Sequence, residues 1–116
     1  MKFIQLVVDG SKIYIAQDNI NYISVSDEKD GYVDIVLNEQ TNFTFSKFEY
    51  GIESINFKKI RQVILDWMTI DSIDGMIWIN PNSIGCCSEV NAFYTIIFKN
   101  GCNLANVKLN HKGYFS

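Results

Sequence analysis

The most reactive side chains of this chain are three thiols and one imidazole: Cys86 and Cys87 side by side, Cys102, and His111 near the end. Together they could hold zinc, or a thiolate could attack an electrophile with the imidazole as its base. Neither chemistry has its spacing. Structural zinc sites take four ligands, commonly in C-x-x-C or H-x-x-x-H pairs, and no such pair occurs, so no metal is expected. A nucleophilic thiol needs a nearby base or a positive field, whereas Asn110-His111-Lys112-Gly113 is turn-like and offers the imidazole no orienting partner. The cysteines read as small core hydrophobes.

Asp27, Glu28 and Asp30 lack the ligand ladder and distal Glu of a calcium loop and read as a solvated hairpin tip. No glycine-rich phosphate loop is present. Lys58, Lys59 and Arg61 form a small basic patch, either the wet face of an amphipathic helix or a surface steering an acidic partner or a nucleic-acid backbone. With no catalytic constellation, no enzyme activity and no cofactor are expected. The aromatics are in surplus: Tyr14, Tyr22, Tyr32, Tyr50, Trp78, Tyr94 and Tyr114 exceed what a small core must hold. Tyr and Trp join apolar area to a polar handle and suit interfaces. Tyr14, Tyr32, Trp78 and Tyr94, all on strands, are the expected partner-binding residues.

The elements that carry them follow from pattern and size. The chain has 116 residues, 47% of them hydrophobic, which fits one small domain with a core of its own. Its net charge of −3 counts against duplex DNA, whose phosphates select basic proteins. Residues 3–8 run straight into Asp9-Gly10, too short for a signal h-region. No apolar run approaches a membrane span. With an odd cysteine count and no disulfide framework, a cytoplasmic setting is expected.

The two ends say nearly the same thing. Lys12-Ile13-Tyr14-Ile15 is echoed by Met76-Ile77-Trp78-Ile79, 64 positions on, and residues 32–37 by residues 93–98, 61 positions on. In this alignment Cys87 matches Ile23. Self-similarity at a fixed offset marks repeated supersecondary units. Asp9-Gly10, Asp30-Gly31 and Asn100-Gly101 are hairpin turns between β-branched and aromatic runs. In the first unit Val33, Ile35 and Leu37 share the core face, and Asp34 marks the wetter one. In the second unit both faces of residues 93–98 are apolar, which predicts a more enclosed unit or one carrying a contact surface. Phe57, Ile60, Ile64, Trp67 and Met68 form one stripe of a helix, started by Ser54 or Asn56. The expectation is an α+β, mainly β domain. Unit one covers about residues 3–46 and unit two about 76–109. Together they hold about nine or ten antiparallel strands, joined by an amphipathic helix at about 54–68.

Five segments carry a family resemblance: Asp18-Asn19-Ile20-Asn21-Tyr22-Ile23, residues 32–37, the helix, Ile79-Asn80-Pro81-Asn82-Ser83-Ile84, and Ile97-Phe98-Lys99-Asn100-Gly101-Cys102-Asn103-Leu104. In order and type they resemble the LytTR-type DNA-binding domains of bacterial regulators, over about residues 12–110. Each half also resembles short β repeats of the FlbD kind. The LytTR likeness implies a β-rich fold and duplex-DNA binding. Ser72-Ile73-Asp74-Gly75 and Asn106-Val107-Lys108 stand where that family carries its basic residues, so Lys108 is the one phosphate contact it would keep.

The sequence therefore points to a non-enzymatic binding or regulatory protein that recognises another protein, such as a phage- or mobile-element-encoded inhibitor. Homo-oligomers could form through its strand edges. The alternatives are a degenerate LytTR-like regulator using Lys58, Lys59, Arg61 and Lys108, or a protein sequestering a small molecule or nucleotide in an aromatic-lined pocket between the units.

Overall fold

The computed structural model describes residues 2–26, 31–39, 41–49, 51–72 and 75–109. Asp27, Glu28 and Asp30, Tyr50, Asp74, His111 and Tyr114 lie outside the described residues. The fold is α+β and mainly β, with twelve strands and one α-helix among the described residues. Strands β1 (Phe3–Val8) and β2 (Ser11–Ala16) form a hairpin. A 3-10 turn at Gln17–Asn19 leads into β3 (Ile20–Ser26), β4 (Tyr32–Leu37) and β5 (Asn42–Ser46), an antiparallel meander. A short hairpin, β6 (Phe48–Glu49) and β7 (Ile52–Glu53), precedes α1 (Ile55–Val63). The order then recurs: hairpin β8 (Met68–Ser72) and β9 (Gly75–Ile79), a 3-10 turn at Pro81–Ser83, and meander β10 (Ile84–Val90), β11 (Phe93–Phe98) and β12 (Asn103–Val107).

The recurrence extends to register. Ile23 faces Ile35 and Ser24 faces Asp34; the residues 64 and 61 positions later do the same, Cys87 facing Ile96 and Ser88 facing Thr95. A bulge between Ile20 and Tyr22 recurs between Ile84 and Cys86. The two meanders part only in their last strand, where Asn106 at φ 56 accompanies a register shift between β11 and β12.

A five-stranded sheet of order β5-β4-β3-β9-β8 forms the middle layer, joining the first meander to the second hairpin. Because side chains alternate across a strand, its faces serve different cores. On one face Ile23, Val25, Val33 and Ile35 pack with Ile4, Leu6 and Ile15 of the first hairpin and Phe57, Ile60 and Ile64 of the helical segment. On the other, Met68, Ile70 and Ile79 pack with Ile96 and Phe98 of the second meander. Val33, Ile35 and Leu37 are buried, and their strand neighbours are not.

The helix is shorter than its apolar stripe predicts. It ends at Val63, and Met68 opens β8 instead of closing α1. Ile64, Trp67 and Met68 are all buried, so the stripe is real. Its last members, however, are carried by a turn and a strand that cross from the first core, which holds Trp67, to the second, which holds Met68. The strands not expected from sequence are β6, β7 and β8. Ser54 caps the helix, its hydroxyl accepting from the Phe57 N–H at 3.1 Å. Asn56 instead ties the helix to the first hairpin, accepting from Val7 N–H at 3.0 Å and donating to Val7 C=O at 3.1 Å. Asn56→Ala leaves both groups of Val7 without that partner, and an expected loss of about 2 kcal/mol should appear in urea melts.

Candidate protein-interaction surface

The second meander is not the more enclosed unit. β3 has no exposed residue, whereas five of the seven residues of β10 are exposed. Its outward face is set by register: Val90 lies opposite Phe93, Ser88 opposite Thr95, and Cys86 opposite Ile97. Val90 is 69% exposed, Phe93 49% and Ile97 37%, the Val90–Phe93 rung and Ile97 sharing one face with the Ser88–Thr95 rung between them. The β10–β11 turn carries Asn91 at φ 53 and Ala92 at φ 68, the left-handed pair that a two-residue hairpin demands. Asn tolerates that region and Ala does not, so Ala92→Gly is expected to raise stability by about 1 kcal/mol in thermal or urea melts.

The four aromatics expected at an interface fall on three different sheets. Tyr14, 60% exposed, stands on the outer face of the first hairpin with Phe3 and Val7. Tyr32, 52% exposed, opens β4, its N–H held by Ser26 Oγ at 2.8 Å. Trp78 is half-buried against the first core, between Ile23 and Thr69. Tyr94 is half-buried against the second core, opposite Glu89. A hydrogen bond to that carboxylate is the chief reason its phenol is raised.

Lys58 and Arg61 are exposed on α1 and Lys59 is half-buried there, while Lys108 lies past β12 in the layer on the opposite side of the middle sheet. Arg61 Nη1 sits 3.4 Å from each carboxylate oxygen of Glu53, and its guanidinium lies 5.8 Å from the Phe57 ring. The four basic residues therefore do not line one strip, and Arg61 already serves a carboxylate.

The cysteines are free thiols. Cys87 and Cys102 are half-buried against the second core, less enclosed than Ile23, which Cys87 matches, and Cys86 is exposed, against the core reading of the cysteines. Burial, then Cys86 and Glu89, pushes the Cys87 thiol up, the reverse of activation. Among the described residues no three His, Cys, Asp or Glu side chains gather as a metal site, and no helix is long and apolar enough to cross a membrane. Between the two 3-10 turns and the end of α1 lies a depression of about 400 Å³, lined by Lys2, Gln17, Asp18, Asp66 and Asn82, with Trp67 as its aromatic.

Tyr22 stacks on Phe98 across the two units, ring centroids 5.8 Å apart, and burial, then Cys102 and Asp34, raises its phenol. Tyr22 and Cys87 both keep their protons when folded at a pH where the unfolded chain has lost them. Their contribution is complete below the unfolded values, ordinarily 9.0 for the thiol and 10.0 for the phenol, and is lost as pH climbs through the raised folded ones. Urea midpoints should therefore fall as pH rises past the ordinary thiol value, and less steeply in Cys87→Ala.

A scan against family models, a search of curated proteins and a search of solved structures each found no significant match. The face formed by Val90, Phe93 and Ile97 was legible in sequence as the second apolar side of residues 93–98. What escaped was that nothing described in the chain covers it.

Proposed function

We propose that this chain is a non-enzymatic recognition module that binds another protein, acting as a regulator or as an inhibitor of the kind phages and mobile elements encode. The observation that carries the reading is the outward β10–β11 face, where Val90, Phe93 and Ile97 present exposed apolar side chains on one sheet face. Such surface costs free energy in water and is recovered against a partner. Tyr14 and Tyr32, each more than half exposed, add aromatic anchors on the other sheets. The net charge of −3 favours a partner surface that is neutral or basic. In affinity capture from the native host, the wild-type chain should retain a specific protein, and Val90→Ser with Phe93→Ser should weaken that capture at least about tenfold. Equal capture by both would contradict the assignment of this face.

Duplex-DNA binding through Lys58, Lys59, Arg61 and Lys108 is the weaker reading, because these residues lie on opposite layers and Arg61 is paired with Glu53. A mobility shift on duplex DNA at low salt should be absent. The sequestering reading predicts a ligand released on denaturation and seen by mass spectrometry.

A further inference from the structure

We infer that the exposed edge of β10 pairs with the β2 edge of a second copy of this chain, repeating between molecules the seam that already joins the two halves within one. Within the chain, edge β3 of the first meander pairs with edge β9 of the second hairpin: Tyr22 faces Ile79, Ile23 faces Trp78, Ser24 faces Ile77 and Val25 faces Met76. The repeat supplies one more copy of each kind of edge. β10 stands to the second meander as β3 does to the first, and β2 stands to the first hairpin as β9 does to the second. Among the described strands β10 pairs with β11 alone and β2 with β1 alone.

A seam relating the halves by a half-turn would close on itself and pair β10 with β2 of the same chain. It does not close, so the contact is head-to-tail and only another molecule can complete it. Two copies completing both seams give the smallest closed assembly.

The residues fit that occupant. Moving 64 positions along each partner turns the internal seam into Cys86 opposite Ile15, Cys87 opposite Tyr14, Ser88 opposite Ile13 and Glu89 opposite Lys12. The apolar rung Val25–Met76 becomes a rung of opposite charge. Trp78 extends the first core across the internal seam and is half-buried there. Its counterpart Tyr14 is 60% exposed for want of the same neighbour, and beside Cys87 it would extend the second core. Ser11 occupies the position of Gly75, whose backbone approaches Val25 too closely for a side chain, so the last rung stays open. β10 contains neither Lys nor Pro, the usual guards of an edge.

The inference is independent of the partner reading and is tested on the purified chain alone. Light scattering at about 0.1 mM should give at least twice the 13.3 kDa chain mass. Glu89→Lys and Lys12→Glu should each raise the dissociation constant about tenfold, and the two together should restore it. Circular dichroism checks that each variant is folded. A monomer at that concentration, or an oligomer that neither single substitution weakens, would overturn the inference.

Discussion

Gly75→Ala is expected to cost about 4 kcal/mol, the sum of a backbone conformation that L residues avoid and an overlap that cannot relax. Gly75 opens β9 at φ 152. A Cβ there would stand 1.8 Å from the Val25 carbonyl oxygen and 2.9 Å from Ser26 Cα. Both are backbone atoms of β3, so no rotamer change makes room. The strands must part at the rung where Ser26 faces Gly75, the last one between β3 and β9 in the sheet that both cores share. Gly10, at φ 80 in the first hairpin turn, provides the contrast, because an added Cβ there meets nothing within 4 Å. Gly10→Ala should cost only about 1 kcal/mol. Paired denaturant melts that found the two variants equally stable would contradict this account of the seam.

Asn80→Ala is expected to cost about 3 kcal/mol, from the loss of several bonds made by one buried amide. Asn80 is 1% exposed and follows β9 at the joint between the halves. Its Nδ2 donates to the Gln17 carbonyl at 3.1 Å, the Ile20 carbonyl at 3.0 Å and Ser83 Oγ at 3.2 Å. Its Oδ1 accepts from the Asn82 N–H at 3.1 Å. The side chain thus caps the second 3-10 turn while holding the first. Replacement takes one donor each from the Ile20 and Gln17 carbonyls, which keep the Ser83 hydroxyl and the Ile20 N–H, and it leaves the Asn82 N–H without its acceptor. Its counterpart 64 positions earlier is Ala16, which makes no side-chain cap. A Ser83→Ala variant removes the hydroxyl that donates to the Ile20 carbonyl at 2.7 Å, and it should cost about 1 kcal/mol. An Asn80→Ala melt no lower than that of Ser83→Ala would show that the amide does not hold the joint.

Much of the fold was legible because strand chemistry is local. Turn dipeptides such as Asp9-Gly10 and Asn100-Gly101 fixed where the chain reverses, and alternation placed Val33, Ile35 and Leu37 in the core. The repeat was readable because both halves bury matched positions such as Ile15 and Ile79; its extension to Ile4 with Met68 and Leu6 with Ile70 came only with the structure. The end of α1 was not readable, since Ile64, Trp67 and Met68 satisfy a helical stripe while belonging to a turn and a strand. β8 shows the same ambiguity: Met68 and Ile70 alternate with Thr69 and Asp71, too briefly to stand out beside a helix.

The candidate surface was half legible for a different reason. Exposure on a two-faced strand is decided by what a distant segment covers. Trp78 and Tyr14 occupy the same position in the two hairpins, yet only Trp78 has a meander beside it. Tyr94, chosen for its ring, faces the core with Ile96, while its neighbour Phe93 turns outward. Sequence alternation separated those two faces correctly but could not say which one water meets.

The proposed docking of another protein on the open β10–β11 face can be read out by placing a photo-reactive side chain at Phe93, and in a control at Thr44 on β5, in cells of the native host. One discrete protein adduct is expected from position 93 and none of that mass from position 44. Equal, diffuse labelling from both positions would contradict that docking.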